Sequence, residues 1–172
     1  MIRDEIFTVV GHNRLPSMAD KAKMSYTSAA VMEIQRKANI VQTSVNHETS
    51  CDTTLMGHHI PKGTRIDGDI HVILSRDPNF ENPEEFRPER FLNKDGVTLN
   101  KAIVERVIPF GIGKRQCAGE ALARVELFLG LTATLQRYRI HPSPTGPVDL
   151  SPQPLIIMIP KDQPLRIELI AQ

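Results

Sequence analysis

Residues 110–119 read FGIGKRQCAG and set Cys117, one of only two cysteines in 172 residues, beside a Lys-Arg pair and directly before an apolar, helix-forming run. A cysteine serving as a small hydrophobe belongs inside such a run. At a helix start, backbone N–H groups and nearby cations favour the thiolate, the form of sulfur that attacks electrophiles or binds metals. Two further stretches carry paired charge. Glu33 and Arg36 lie three residues apart, so on a helix they share a face and can pair. Taken alone, this spacing is also that of a solvated surface pair worth about 0.3 kcal/mol. In Phe86-Arg87-Pro88-Glu89-Arg90-Phe91 the arginines sit on a stiff, proline-bearing turn, from which they either dock on a distant carboxylate or merely solvate a loop.

Two other chemistries deserve weighing at these residues. A cysteine-based phosphatase also presents a thiolate before a helix, but it needs Cys-x5-Arg; here Arg124 falls at Cys-x6-Arg, and Glu120 in the first turn would repel a phosphate. A zinc site from His47, Cys51, His58 and His59 has the ligand types, yet no closely spaced Cys-Cys or His-His pair of the usual kind.

The elements that must position these groups follow from pattern. Ile2 to Val10 reads as the last turns of a helix closed by Gly11, followed by the loop HNRLPSMADKAKM. Tyr26 to Lys37 reads as a helix capped by Thr27 or Ser28. From Ile40 to Ile73 the pattern is β-like, with turns at Gly57 and at Pro61-Lys62-Gly63. Residues 75–96 form a meander pinned by Phe80, Phe86 and Phe91. Ala118 to Leu135 is the strongest helix, apolar nearly all round and therefore expected to be buried. The tail segments LIIMIP and LRIEL fit a closing β-hairpin.

Composition is globular, 40% hydrophobic and 24% charged, with net charge +1 and dispersed basic residues that leave no nucleic-acid footprint. Thirteen prolines and ten glycines cluster between few regular elements. Two cysteines make no disulfide framework and suit a reducing compartment. No apolar run approaches ~18 residues, so no membrane-spanning or targeting segment is expected in the chain as given.

The combination Phe110-x-x-Gly113-x-Arg115-x-Cys117-x-Gly119 arises by chance on the order of once in several million start positions. It resembles the cysteine-ligand loop of the haem-thiolate monooxygenases, the cytochrome P-450 superfamily. Glu33-x-x-Arg36 resembles that family's helix K signature and Pro88-Glu89-Arg90-Phe91 its meander motif, in the family's order and spacing. The resemblance covers nearly the whole chain and is closest to animal microsomal members.

It implies an α+β, mainly α fold over a single region, 1–172: helix K, a small β-sheet, the meander, the cysteine-ligand loop, helix L and a terminal β-hairpin of a cytochrome P-450 domain. Glu33, Arg36 and Arg90 would form a buried structural triad. Cys117 would be the axial thiolate ligand of haem b iron, with Gly113 and Gly119 (and Gly111) letting backbone N–H groups approach the sulfur. Phe110 would pack near the macrocycle, and Arg115 and His47 would meet its propionates. The activity implied is insertion of one dioxygen oxygen into a small lipophilic substrate, with electrons from an NADPH-dependent reductase docked near Lys114. No nucleic acid partner is implied. The implied setting is the endoplasmic reticulum membrane, reached through an anchor outside this chain. Nothing here resembles the family's distal acidic-Thr pair, so no catalytic residue is assigned. The isolated chain is expected to be inactive, and the alternative function is a truncated, non-catalytic fragment or interaction module that binds haem weakly or not at all.

Overall fold

In the computed structural model, which describes residues 1–143, 146–151, 153 and 157–170, the chain opens on α1 (Ile2–Val9). Gly11 ends this helix in a left-handed conformation (φ +77°) that suits a residue without Cβ. The loop beyond it is locked by charge. Arg14 forks onto Asp20 at 2.8 and 2.7 Å, and the Asp20 carboxylate also accepts the Ser17 backbone N–H at 2.8 Å, capping a 3-10 turn over Met18–Lys23. The Arg14 guanidinium, aided by the Ser17 N–H, holds the Asp20 carboxyl well below the usual carboxylate range.

Next comes α2 (Ser25–Ala38), the spine of the molecule. Neither Thr27 nor Ser28 caps it, contrary to the sequence reading; both lie within its first turn and are buried. The cap comes instead from α1: the Glu5 carboxylate accepts the backbone N–H groups of Tyr26 (3.0 Å) and Thr27 (2.7 Å) and the Thr27 hydroxyl (2.6 Å). A carboxylate at a helix N-terminus satisfies free N–H donors and complements the helix dipole.

The β-like stretch divides into β1 (His47–Glu48), β2 (Thr53–Leu55), β3 (His58–Ile60) and β4 (Arg65–Ile66), with β1 paired to β4 and β2 to β3, both antiparallel. Met56 and Gly57 make the β2–β3 turn with φ of +50° and +84°, the pattern of a type I′ hairpin. The strand pattern stops earlier than expected. Ile70–Arg76 is a helix, α3, because the Asp69 side chain accepts the Val72 N–H at 2.8 Å and caps it, while Ile70 and Leu74, one turn apart, both enter the core.

The meander turns once as a 3-10 helix at Pro88–Phe91 and leads to a short α4 (Lys101–Val104). Phe80 and Phe91 pin it as expected, but Phe86 is 51% exposed and pins nothing. The last helix, α5 (Glu120–Arg137), runs into β5 (Tyr138–Pro142). It is not buried all round: Phe128, Thr132 and Gln136 face inward, while Leu122 is 63% exposed. The LRIEL strand, β6 (Leu165–Leu169), pairs antiparallel with β5, from Tyr138 opposite Leu169 to Pro142 opposite Leu165, rather than with LIIMIP. Leu155 and Ile156 of LIIMIP lie outside the described residues; Met158 donates its N–H to the Ile40 carbonyl at 2.8 Å.

The described residues are thus mainly helical with small two-stranded sheets, around two apolar clusters. One joins Ala29, Met32, Ile70, Leu74, Phe80, Phe91 and Val107; the other joins Ile6, Val10, Met24 and Phe128. No helix among the described residues is long and apolar enough to cross a membrane.

Replacing Asp20 by Ala removes a cap worth about 1 kcal/mol at pH 7, so Tm should fall by about 2–4 °C. The folded-state carboxyl titrates below its unfolded value near 3.9, so its stabilisation is complete above about pH 4 and is lost as the pH falls further. Thermal melts should show the gap between wild type and Asp20→Ala closing in acid; a gap that stays constant from neutral pH into strong acid would contradict this role.

Candidate functional site

Glu33, Arg36 and Arg90 come from two elements far apart in sequence and meet in the interior. Their side chains are 0%, 2% and 3% exposed. The Glu33 carboxylate accepts a two-pronged fork from Arg36, at 2.8 and 2.9 Å, and a third bond from Arg90 Nε at 3.2 Å. The Arg87 backbone N–H donates to the same carboxylate at 3.0 Å. One negative charge faces two positive ones, and the remaining guanidinium N–H groups find main-chain carbonyls. Arg36 donates to Leu74 (3.1 Å) and Pro83 (2.6 Å), and Arg90 donates to Glu81 (2.8 Å), Asn82 (3.3 Å) and Glu85 (3.1 Å). Buried charges persist only when paired and hydrogen-bonded in this way. The arginines therefore fold the irregular turn at 81–85 around themselves. Asn82 completes it at φ +48°, a left-handed position that asparagine tolerates. Arg36 also lies 5.4 Å from the Phe80 ring centre, a cation–π contact.

A second tether joins the same partners: the Tyr26 hydroxyl donates to Glu89 at 3.1 Å. Burial first, then the Glu89 carboxylate, raises the Tyr26 phenol above its ordinary value.

The cysteine loop leaves the core at Val107, buried in the first cluster, and returns to it through α5, whose Phe128 is buried in the second. Gly111 (φ +72°) and Gly113 (φ +75°) make its two left-handed turns, and nothing lies within 4 Å of where a Cβ would stand on either. The loop closes by the Cys117 N–H donating to the Phe110 carbonyl at 2.9 Å. Cys117 is exposed just before the first turn of α5, and its sulfur would lie 3.9 Å from a Cβ placed on Gly119. Phe110 is half-buried under Arg124, whose guanidinium lies 5.2 Å from the ring centre and pairs with Glu120 at 2.6 Å. Gln116 donates to the same carboxylate. Burial pushes the Glu120 carboxyl up, but the Gln116 and Arg124 hydrogen bonds outweigh it and hold the group below its ordinary value.

Arg115 ends a 3-10 turn, Gly113–Arg115, and is exposed like Lys114. His47 is exposed in β1 opposite Ile66 and forms no hydrogen bond or ion pair with the cysteine loop among the described residues. The structure thus gathers Phe110, Gly113, Arg115, Cys117 and Gly119 in one loop and keeps His47 on a separate sheet. Arg124, in the first turns of α5, is the residue whose role sequence reasoning missed; its spacing from Glu120, one helical turn, was the available signal. That engagement with Glu120 and Phe110 also removes Arg124 as a phosphate ligand. Among the described residues no group of three or more His, Cys, Asp or Glu side chains is placed to hold a metal ion.

A mainly helical chain with a buried Glu-Arg-Arg cluster and an exposed cysteine before a long helix defines the class. The cytochrome P450 family matches residues 1–166, and the chain belongs to that family. It is 45% identical over 152 residues, 88% of this chain, to cytochrome P450 1A2 of Oryctolagus cuniculus. It is 43% identical over 169 residues, 93% of this chain, to cytochrome P450 2U1 of Bos taurus. It is 39% identical over 156 residues, 91% of this chain, to cytochrome P450 2C50 of Mus musculus. The matched stretch spans 29%, 30% and 31% of those three relatives, about three tenths of their length.

Removing the Glu33 carboxylate leaves two buried guanidiniums uncompensated. Glu33→Ala should therefore cost about 3–5 kcal/mol, or about 10 °C or more in Tm. Calorimetry of the variant checks this; a Tm within about 2 °C of wild type would mean that the cluster is not a determinant of the fold.

Proposed function

We propose that Cys117 is the proximal thiolate ligand of a haem b iron and that these 172 residues form one region of a P450 domain, the part that holds the cofactor's proximal face. The observation that carries this reading is the presentation of the sulfur. Cys117 is exposed at the N-terminus of α5, and the glycine turns beside it leave open space on the loop. The donor set fits the group: a soft thiolate for iron, an aromatic ring beside it, and an exposed guanidinium at Arg115, without a partner among the described residues, for a carboxylate.

When bound, haem supplies dioxygen activation, in a reaction that takes dioxygen, two electrons and two protons, places one oxygen in a C–H bond of a lipophilic substrate and releases the other as water. The chain's own residues serve that chemistry from one side. Cys117 gives electron density through its sulfur, and the N-terminus of α5 offsets the negative charge that the sulfur must keep. Backbone N–H groups of the glycine loop tune the donor strength of the sulfur. Phe110, held under the Arg124 guanidinium, would pack near the macrocycle and help to exclude water from the sulfur. Arg115 would meet a propionate by charge-assisted hydrogen bonds, and His47 would offer a second propionate partner from β1. Electrons would come from an NADPH-dependent reductase docking on the face that carries Lys114, with a small lipophilic substrate on the far side and the endoplasmic reticulum membrane as the setting. The likeness to animal P450s supports these partners and this setting.

A second reading, a non-catalytic unit that binds haem weakly, is favoured by the exposure of Leu122 on α5, an apolar side chain left in solvent. Haem reconstitution of the 172-residue chain and of a full-length relative carrying this region separates the two. In the full-length context, the reduced, carbon monoxide-bound protein should show the red-shifted Soret band of a thiolate ligand, and Cys117→Ser should abolish it, since a hard, protonated hydroxyl cannot replace a soft thiolate. A band unchanged in the variant would sink the ligand assignment. Substoichiometric haem and no reductase-dependent product from the 172 residues alone would favour the second reading for the isolated chain.

A further inference from the structure

The Glu120 side chain bridges the two ends of the cysteine loop. One carboxylate oxygen accepts Arg124 Nε at 2.6 Å, and the other accepts the Gln116 side-chain amide. Arg124 in turn lies over the Phe110 ring, and the Phe110 carbonyl accepts the Cys117 N–H at 2.9 Å. The contacts therefore close on themselves, from Phe110 to Arg124, Glu120, Gln116, Cys117 and back to Phe110. Every member lies between Phe110 and Arg124, so the ring is complete within one short stretch of chain.

A Glu and an Arg four residues apart on a helix are by themselves an ordinary pair of small effect. Two further facts give this pair a task. Gln116 lies outside α5, with φ −55° and ψ 148°, so its bond to Glu120, the first residue of α5, ties the loop to the helix across the cysteine. Cys117 itself is held at both main-chain groups, its N–H by Phe110 and its carbonyl by the Glu120 N–H at 3.3 Å. Glycines at 111, 113 and 119 would otherwise leave the intervening backbone many conformations. The Glu120 carboxylate thus joins the residue before the sulfur to the aromatic ring that opens the loop.

We propose that Glu120 and Gln116 are positioning residues for the Cys117 sulfur: the carboxylate, by holding Gln116 and Arg124 together, closes a ring of contacts that fixes where the thiolate is presented. The inference rests on the reading of Cys117 as the haem ligand. Groups that orient a metal ligand without touching the metal commonly change affinity by about 10–100-fold when removed. A thiolate held less well donates less to iron, so opening the ring should both loosen haem and raise the iron's reduction potential.

The test uses a haem-loaded, full-length P450 that carries this region, with Tm recorded for every variant. Gln116→Leu opens the ring without changing charge. It should weaken haem binding by about tenfold and raise the midpoint potential by the about 59 mV that a tenfold change in a one-electron equilibrium represents. Gln116→Glu sets two carboxylates against each other and should likewise loosen haem and reduce the share of the red-shifted, carbon monoxide-bound band. The swap Gln116→Glu/Glu120→Gln keeps the wild-type net charge and rebuilds the ring: the amide now at position 120 donates to the carboxylate now at 116, and its oxygen accepts Arg124. It should restore haem affinity, band and potential, and it decides the matter if Gln116→Leu holds no haem. A Gln116→Leu variant with wild-type potential and haem affinity, whatever its Tm, or a swap no better than Gln116→Glu alone, would overturn this inference and leave the ligand assignment standing. A wild type without the red-shifted band, or a band that survives Cys117→Ser, would overturn both.

Discussion

The fold depends on one electrostatic constraint: the Glu33 carboxylate is entirely removed from water and must be balanced there. Arg36, one helical turn along α2, gives a two-pronged fork, and Arg90 gives a third bond from the meander. Two guanidiniums around one carboxylate would leave excess positive charge in the interior, and the carbonyls of residues 74, 81, 82, 83 and 85 take it up. An irregular segment with almost no secondary structure is thereby given one conformation. Its shape is set by the donors that it must satisfy, with Phe80 and Phe91 sealing the cluster from solvent.

From that cluster the consequences run outward to the cysteine. Phe91 shares a core with Val107, so fixing the meander fixes the point at which the cysteine loop departs. The loop ends at α5, held through Phe128 against α1 and the start of α2, while Glu5 of α1 caps that same start. Both ends of the loop are thus referred to α2. Between them the glycines at 111 and 113 and the Cys117–Phe110 bond determine how the sulfur is presented. The haem site proposed at this loop would need such rigid supports to hold its sulfur in one place.

Much of this was legible in the sequence because the informative residues are few and chemically demanding. Cys117 among glycines, Glu33 three residues from Arg36, and Arg90 next to a proline each needed a physical reason to be there. The helices from Ser25 and Glu120 could be seen within two residues of their starts, since apolar spacing and Gly punctuation agree. What escaped was whatever depends on a partner distant in the chain. Thr27 and Ser28 look like caps locally, yet Glu5, some twenty residues away, does the capping. Ile70 to Ile73 looks like strand from its β-branched residues, yet the Asp69 cap and burial at Ile70 and Leu74 make it helix. LRIEL pairs with the strand after α5 because strand pairing is settled in space and not by proximity in sequence. Phe86 and Leu122 are exposed although their types suggest burial, and no local pattern could have told them from Phe91 and Phe128.

The central claim is that this scaffold presents the Cys117 sulfur to haem iron. X-ray absorption at the iron edge tests it most directly, on haem-loaded protein in a full-length P450 context that carries this region. The account predicts one sulfur in the first coordination shell of iron, present in wild type and in Cys51→Ser, and lost in Cys117→Ser. A first shell made only of nitrogen and oxygen in the wild type, or a sulfur that persists when Cys117 is replaced, would contradict it.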